Sequence, residues 1–199
     1  MHMTVYAALG ALAAALNLAG TIPYVRDIFR RKTKPQRSMW WIYSGLFAML
    51  FWAQADAGSG WVLAVTAEYV ATALLIAILS VTHGYGGFHK RDVMSIMVAI
   101  LGLVLWQLTS QPVVAIGIVI VVDFVGFWLT LVKTWHAPHS ETLISWQLSA
   151  ASAFLSVFAA DSLRLEVLAY PAYAVLATVL IVWLIIYRRR VVADDPADF

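Results

Sequence analysis

Long apolar runs alternate with short polar turns along the whole chain. Seven runs approach or exceed the roughly 20 mostly apolar residues that a bilayer-crossing helix needs. They cover 4–25, 38–55, 61–82, 93–109, 112–133, 141–160 and 164–187. The turns between them are unequal in charge. Of 13 Lys and Arg, all but Arg164 fall in alternate turns, at the ends of runs that lead into them, or after the last run. Arg26, Arg30, Arg31, Lys32, Lys34 and Arg37 surround the first turn, Lys90 and Arg91 follow the third run, Lys133 ends the fifth, and Arg188, Arg189 and Arg190 close the seventh. Basic residues stay on the cytoplasmic side during insertion. The pattern predicts a multi-pass integral membrane protein with its N-terminus outside and its C-terminus in the cytoplasm.

Composition agrees with that solvent. Charged residues are 12% of the chain, hydrophobic residues 62%, and mean hydropathy is +0.82. A soluble domain averages about 25% charged residues. The formal charge of +2 does not point to nucleic acid, because the basic residues flank apolar runs and orientation accounts for them. Cysteine is absent, which excludes disulfides and thiolate metal sites. The first run has no basic segment before it, unlike a signal peptide.

The chain also repeats itself. Residues 21–38 read TIPYVRDIFRRKTKPQRS and residues 124–141 read FVGFWLTLVKTWHAPHSE. An offset of 103 places Pro35 on Pro138, Tyr24 on Phe127, Ile28 on Leu131 and Arg30 on Lys133, and an offset of 104 places Tyr69 on Tyr173. Runs 1–3 and 5–7 are odd-numbered units of one orientation, so run 4 must return the chain before the second unit starts. The expected fold is all-α and integral to the membrane. Seven transmembrane helices form two parallel three-helix bundles joined by a linker helix, a 3+1+3 plan. Residues 1–82 form the first repeat, 83–111 the linker, 112–190 the second repeat and 191–199 a flexible acidic tail.

This plan resembles the SWEET and PQ-loop superfamily of transporters, which includes cystinosin and the KDEL receptor. The family's Pro-Gln near the end of its first helix corresponds here to Pro23-Tyr24, followed by the basic turn Arg31-Lys32-Thr33 through Ser38. In the second repeat Gly126-Phe127 takes that place. Asp123-Phe124-Val125-Gly126 resembles the Asp-Phe-x-Gly stretch of cystinosin-type members, where the aspartate takes part in proton coupling. The resemblance implies that role for Asp123. SWEET sugar transporters place an Asn in each of their third and seventh helices, whereas the single Asn here, Asn17, is in the first run.

The residues themselves single out few chemical groups. Asp123 lies about 16 Å into its run, near the midplane, at 1.5 Å per residue. An ionised carboxylate there is costly and usually faces a bundle interior or a wet cavity. It is either a carboxyl that gains and loses a coupling proton or a protonated side chain bonded inside a helix interface. Glu68, about 10 Å into the third run, is a second proton-coupling candidate, a site for a cationic group, or a wet residue at the outer mouth. Tyr69, Tyr173, Asn17, Gln54 and Trp52 are candidates for binding a small polar solute, with core packing the plain alternative for the aromatics. Pro23 and Pro171 each remove a helical hydrogen bond, giving a hinge or a static kink. Trp40, Trp41, Trp61 and Trp135 sit at run ends, as in an interfacial aromatic belt. Gly20, Gly45 and Gly126 are expected to allow close helix approach.

His136, His139 and Glu141 have the residue types of a zinc site, but Pro138 spoils the spacing, and no metal or cofactor is expected. No nucleophile–base pair or glycine-rich phosphate loop is present, so an enzyme is not expected. The function expected is a transporter moving a small polar solute, such as a sugar, amino acid or vitamin, by alternating access with proton coupling. A receptor or binding protein of the same fold, without net transport, is the alternative. The partners expected are membrane lipid, the solute and protons; no nucleic acid is expected, and a homo-oligomer is compatible. The compact size suits a bacterial plasma membrane.

Overall fold

The computed structural model of the protein describes residues 2–56, 60–85, 97, 104, 112–160 and 165–193. Six α-helices account for most of them: α1 (His2–Phe29), α2 (Arg37–Asp56), α3 (Gly60–His83), α4 (Pro112–His136), α5 (Leu143–Ala159) and α6 (Leu165–Ala193). A 3-10 turn, Pro138–Ser140, lies between α4 and α5. Three helices contain spans long and apolar enough to cross a membrane, Val5–Phe29, Gly117–His136 and Leu168–Val192. The expected fourth run, 93–109, lies outside the described residues apart from two isolated helical positions. The expected tail begins later than the sequence suggests, because α6 continues through Val191 and Val192 to Ala193.

Among the described residues the closest helix approaches follow the circular order α1, α3, α2, α4, α6, α5 and back to α1. Exchanging α1, α2 and α3 for α4, α5 and α6 leaves this order unchanged. The outer faces carry large apolar side chains such as Ile22, Ile78, Val121 and Leu176, as a lipid-facing surface requires. The two contacts between the trios are α1 on α5 and α2 on α4.

Small residues let the first of these seams close. A Cβ added at Gly20 would lie 3.2 Å from both the Leu148 Cβ and the Ser145 carbonyl oxygen. A Cβ added at Gly126 would be in ordinary contact with Ile42 and Met39, at 3.6 and 3.7 Å, across the other seam. At Gly45 an added Cβ meets nothing within 4 Å among the described residues, so none of those helices approaches closely there.

The helix ends that bear the basic clusters lie together. They comprise the ends of α1, α3, α4 and α6 and the starts of α2 and α5, here called the basic end. Arg37 donates to the Ser80 and Val81 carbonyls at 3.1 and 2.9 Å, tying the first turn to α3. Arg188 and Arg189 donate to the Trp135 and Pro138 carbonyls at 2.9 and 3.2 Å, tying the second turn to α6. Pro35 and Pro138, paired by the repeat, therefore occupy corresponding turns, and both are buried.

Candidate functional site

Asp123 sits on α4, and its carboxylate accepts three tyrosine hydroxyls. Tyr43 from α2 donates to Oδ2 at 3.3 Å, Tyr173 from α6 donates to Oδ2 at 2.5 Å, and Tyr170 from α6 donates to Oδ1 at 3.2 Å. Helices α2 and α6 flank α4 on either side of the ring. A side chain that reaches both neighbours while only 4% exposed points into the ring, not toward lipid. Tyrosine suits this position because its ring is apolar enough for a helix interface while its hydroxyl satisfies a buried carboxylate.

A second polar group lies at the corresponding place in the other half. Asn17 on α1 donates to Glu68 Oε2 of α3 at 3.4 Å, and Thr72 donates to Glu68 Oε1 at 2.8 Å. Ser149 of α5 donates to the Asn17 side-chain oxygen at 3.2 Å. Helices α3 and α5 flank α1 as α2 and α6 flank α4. Asn17 therefore also faces inward. Counted back from the basic ends of their helices, Asn17, Asp123 and Glu68 lie about 18, 20 and 22 Å deep at 1.5 Å per residue. They form one layer.

Aromatic rings run between the two acids. The ring centroids of Tyr43 and Phe47 are 5.4 Å apart, those of Phe47 and Tyr69 5.5 Å, and those of Tyr170 and Tyr173 6.1 Å. All five are half-buried. Of the sequence candidates, Asp123 and Tyr173 come together directly, as do Glu68 and Asn17, while Tyr69 joins the aromatic row. Tyr43 and Tyr170 were not singled out by sequence. Tyr170 was visible beside Pro171, but Tyr43 looked like one more aromatic in SMWWIYSG. The side chains of the sequence candidates Trp52 and Gln54 lie outside the described residues. Pro23 and Pro171 both lie within continuous helices.

Toward the basic end the interior is filled. Met39, Phe127, Trp146, Ile181, Leu184 and Ile185 form a buried apolar cluster just below Asp123. Phe127 packs edge-on against Trp146 with centroids 6.5 Å apart, and its repeat partner Tyr24 packs on Trp40 at 5.6 Å. Each contact joins the first and second helices of a trio. Trp40 is thus a correction to the interfacial belt, since it serves this internal contact and the aromatic row, where it lies 5.9 Å from Tyr43.

Below the apolar cluster, polar groups join the two trios. Lys34 N–H donates to the Ser140 carbonyl at 2.9 Å, and Lys133 Nζ donates to the Lys34 carbonyl at 2.6 Å. Thr33 and Thr142 share a hydroxyl hydrogen bond, and Thr142 donates to Asp27 Oδ2 at 3.2 Å. Lys133 forms an ion pair with Glu141, and the two side chains are 1% and 0% exposed. Trp146 Nε1 donates to Glu141 Oε2 at 3.0 Å. Lys133 is therefore more than a marker of orientation: it is a buried base with a buried acid. Both carboxylate oxygens of Glu141 are engaged, one by Lys133 and the other by Trp146. Among the described residues no group of three His, Asp or Glu is placed to hold a metal.

No protein-family model, curated protein or solved structure matches the chain.

Proposed function

We propose that this protein is a transporter of the SWEET and PQ-loop type, which carries a small polar solute across a membrane by alternating access. One observation carries the reading: the Asp123 carboxylate, about 16 and 20 Å from the two ends of α4, is turned into a ring of helices and held by three hydroxyls from two neighbours. Carboxylates inside membranes are expensive and mark substrate and proton pathways.

The circular order supports the mechanism. Two trios meet at two seams, with a polar group inside each half at one depth. Rocking of one trio against the other would alternately open the two ends around that layer. The Thr33–Thr142, Lys34–Ser140 and Lys133–Lys34 hydrogen bonds would close the cytoplasmic end, which is the basic end by charge, with Glu141 holding Lys133 in place. They are polar and few, so they can separate and be rehydrated. Asp123 is the coupling site, taking up a proton from one side and releasing it to the other. The linker helix of the 3+1+3 plan would occupy the chain between α3 and α4.

Purified protein in proteoliposomes tests this. A panel of sugars, amino acids and vitamins is offered with and without an imposed pH gradient. The proposal expects flux of one solute class that responds to the gradient, and loss of that response in Asp123→Asn. Saturable binding with no flux would replace transport by a receptor role.

A further inference from the structure

Resting on the transporter reading, we propose that the solute is an organic ammonium ion bearing no acid group, exchanged for a proton at Asp123. Three observations converge. The first is charge. Asp123 and Glu68 face one interior layer, and every donor that reaches them is neutral: Tyr43, Tyr170 and Tyr173 on one, Asn17 and Thr72 on the other. Among the described residues neither acid has a basic partner. The chain supplies cations elsewhere, since Glu141 has Lys133 and Asp27 has Arg26. No Lys or Arg occurs between Arg37 and Lys90, or between Arg91 and Lys133. Two carboxylates without counterions leave positive charge to be brought by whatever occupies the layer.

The second is the aromatic row. Tyr43, Phe47 and Tyr69 run from Asp123 to the helix that carries Glu68, with Tyr170 and Tyr173 on α6. The negative faces of such rings attract an ammonium group, most strongly when it is desolvated. The third is the missing base. A solute carboxylate or phosphate would find no Lys or Arg in this layer and would face Asp123 and Glu68. A sugar would bring hydrogen bonds but no charge. A cation without an acid group satisfies both conditions.

One carboxylate cannot hold an ammonium ion and a proton together. Entry of the cation on one side therefore displaces the Asp123 proton, and return of the proton from the other side displaces the cation. Charge balances as one cation exchanged for one proton.

The test uses the full chain and three kinds of probe. The first is a panel of permanent ammonium cations: tetramethylammonium, choline and benzyltrimethylammonium. The others are glycine betaine, which adds a carboxylate to the same headgroup, and glucose. The ammonium panel should raise the unfolding midpoint saturably, while betaine and glucose should not. Asp123→Asn should weaken the effect about tenfold or more, the loss of one favourable charge contact. Phe47→Leu, which keeps the apolar volume but removes the π-face, should weaken it roughly threefold. Should Asp123→Asn fail to fold, Phe47→Leu and Glu68→Gln carry the test. Vesicles with an acidic lumen should accumulate the active cation and become alkaline inside. Absence of any ammonium effect, or an effect untouched by these variants, would overturn the proposal. So would movement of betaine or glucose alone, which would leave transport standing. Ammonium binding that depends on Asp123 but gives no flux of any probe would instead sink transport and keep the site.

Discussion

Lys133 and Glu141 offer the sharpest quantitative test of how the basic end is held shut. Their side chains are 1% and 0% exposed. Removing one member leaves the other charged and dry, and such breaks cost roughly 3–5 kcal/mol. Lys133→Met also abandons the Lys34 carbonyl, which Lys133 now reaches at 2.6 Å. Glu141→Leu also abandons the Trp146 indole N–H at 3.0 Å. Each single substitution is therefore expected at about 3–5 kcal/mol of lost stability. The double variant Lys133→Met with Glu141→Leu removes both charges and replaces them with apolar volume. It should cost no more than either single variant, which puts the coupling energy in a double-mutant cycle at about 3 kcal/mol or more. Unfolding midpoints in a mild detergent, with denaturant titration, measure all four proteins. A single substitution costing about 1 kcal/mol or less, the size of an exposed ion pair, would refute the buried pair.

Under the proposed mechanism the same variants report on gating. The chain has no cysteine, so a single introduced one labels alone. Thr130 lies between Asp123 and Lys133 on α4, buried against Met39 of α2 at the seam. Thr130→Cys should resist an impermeant maleimide added from the basic side, and should react several times faster when Lys133→Met or Glu141→Leu is also present. Equal rates would mean that the ion pair does not hold the seam closed.

Three further outcomes follow from other contacts. Gly20→Ala should destabilise by about 1–3 kcal/mol, because its Cβ would crowd α5, whereas Gly45→Ala, with open space around it, should be neutral or gain up to about 1 kcal/mol of helix propensity; thermal unfolding of the two side by side distinguishes them. Tyr173→Phe removes the shortest of the three bonds to Asp123 and should cost roughly 1–2 kcal/mol while altering the pH dependence of flux; flux indistinguishable from wild type across pH 5–9 would remove Tyr173 from the site. A C-terminal reporter should fold on the cytoplasmic side, and a periplasmic signal would reverse the assignment of the basic end.

Much of the helical plan was legible because the bilayer makes one demand of every span. Apolar runs gave six of the helices, with most ends within a few residues of those expected. Helix ends were less legible because turn hydrogen bonds, not hydropathy, set them: α1 runs on to Phe29, past Arg26, before Arg31 turns the chain with a left-handed φ of 57°. Asp123 stood out for the same reason that it is costly, as an acid deep in an apolar run. Tyr43 and Tyr170 did not, because a tyrosine in a membrane helix is read equally well as core, belt or ligand until its hydroxyl has a partner. Lys133 reads in the sequence as an orientation marker alone, because its position near a span end satisfies the positive-inside rule completely. Its partner Glu141 is eight residues on, across a turn whose path hydropathy does not describe.

The two kinds of buried acid differ in a way that has mechanical meaning. Glu141 is given a base, an indole donor and a place in the turn that joins α4 to α5, so its charge is neutralised within its own trio. Asp123 and Glu68 are given only hydroxyls and an amide, which orient a carboxylate without cancelling it. A fold meant only to be stable would neutralise all three, or replace them with apolar residues at little cost or a gain. Leaving two uncompensated at mid-depth, above an apolar plug and a separable latch, raises the free energy of the empty, charged layer relative to one holding a cation or protons. Release of an occupant is then unfavourable unless another takes its place. That coupling of exit to entry distinguishes an exchanger from a channel, and it predicts that counterflow between labelled and unlabelled cation will outpace net efflux into cation-free medium at alkaline pH, where protons are too scarce to refill Asp123. Equal rates would show that the layer empties without penalty.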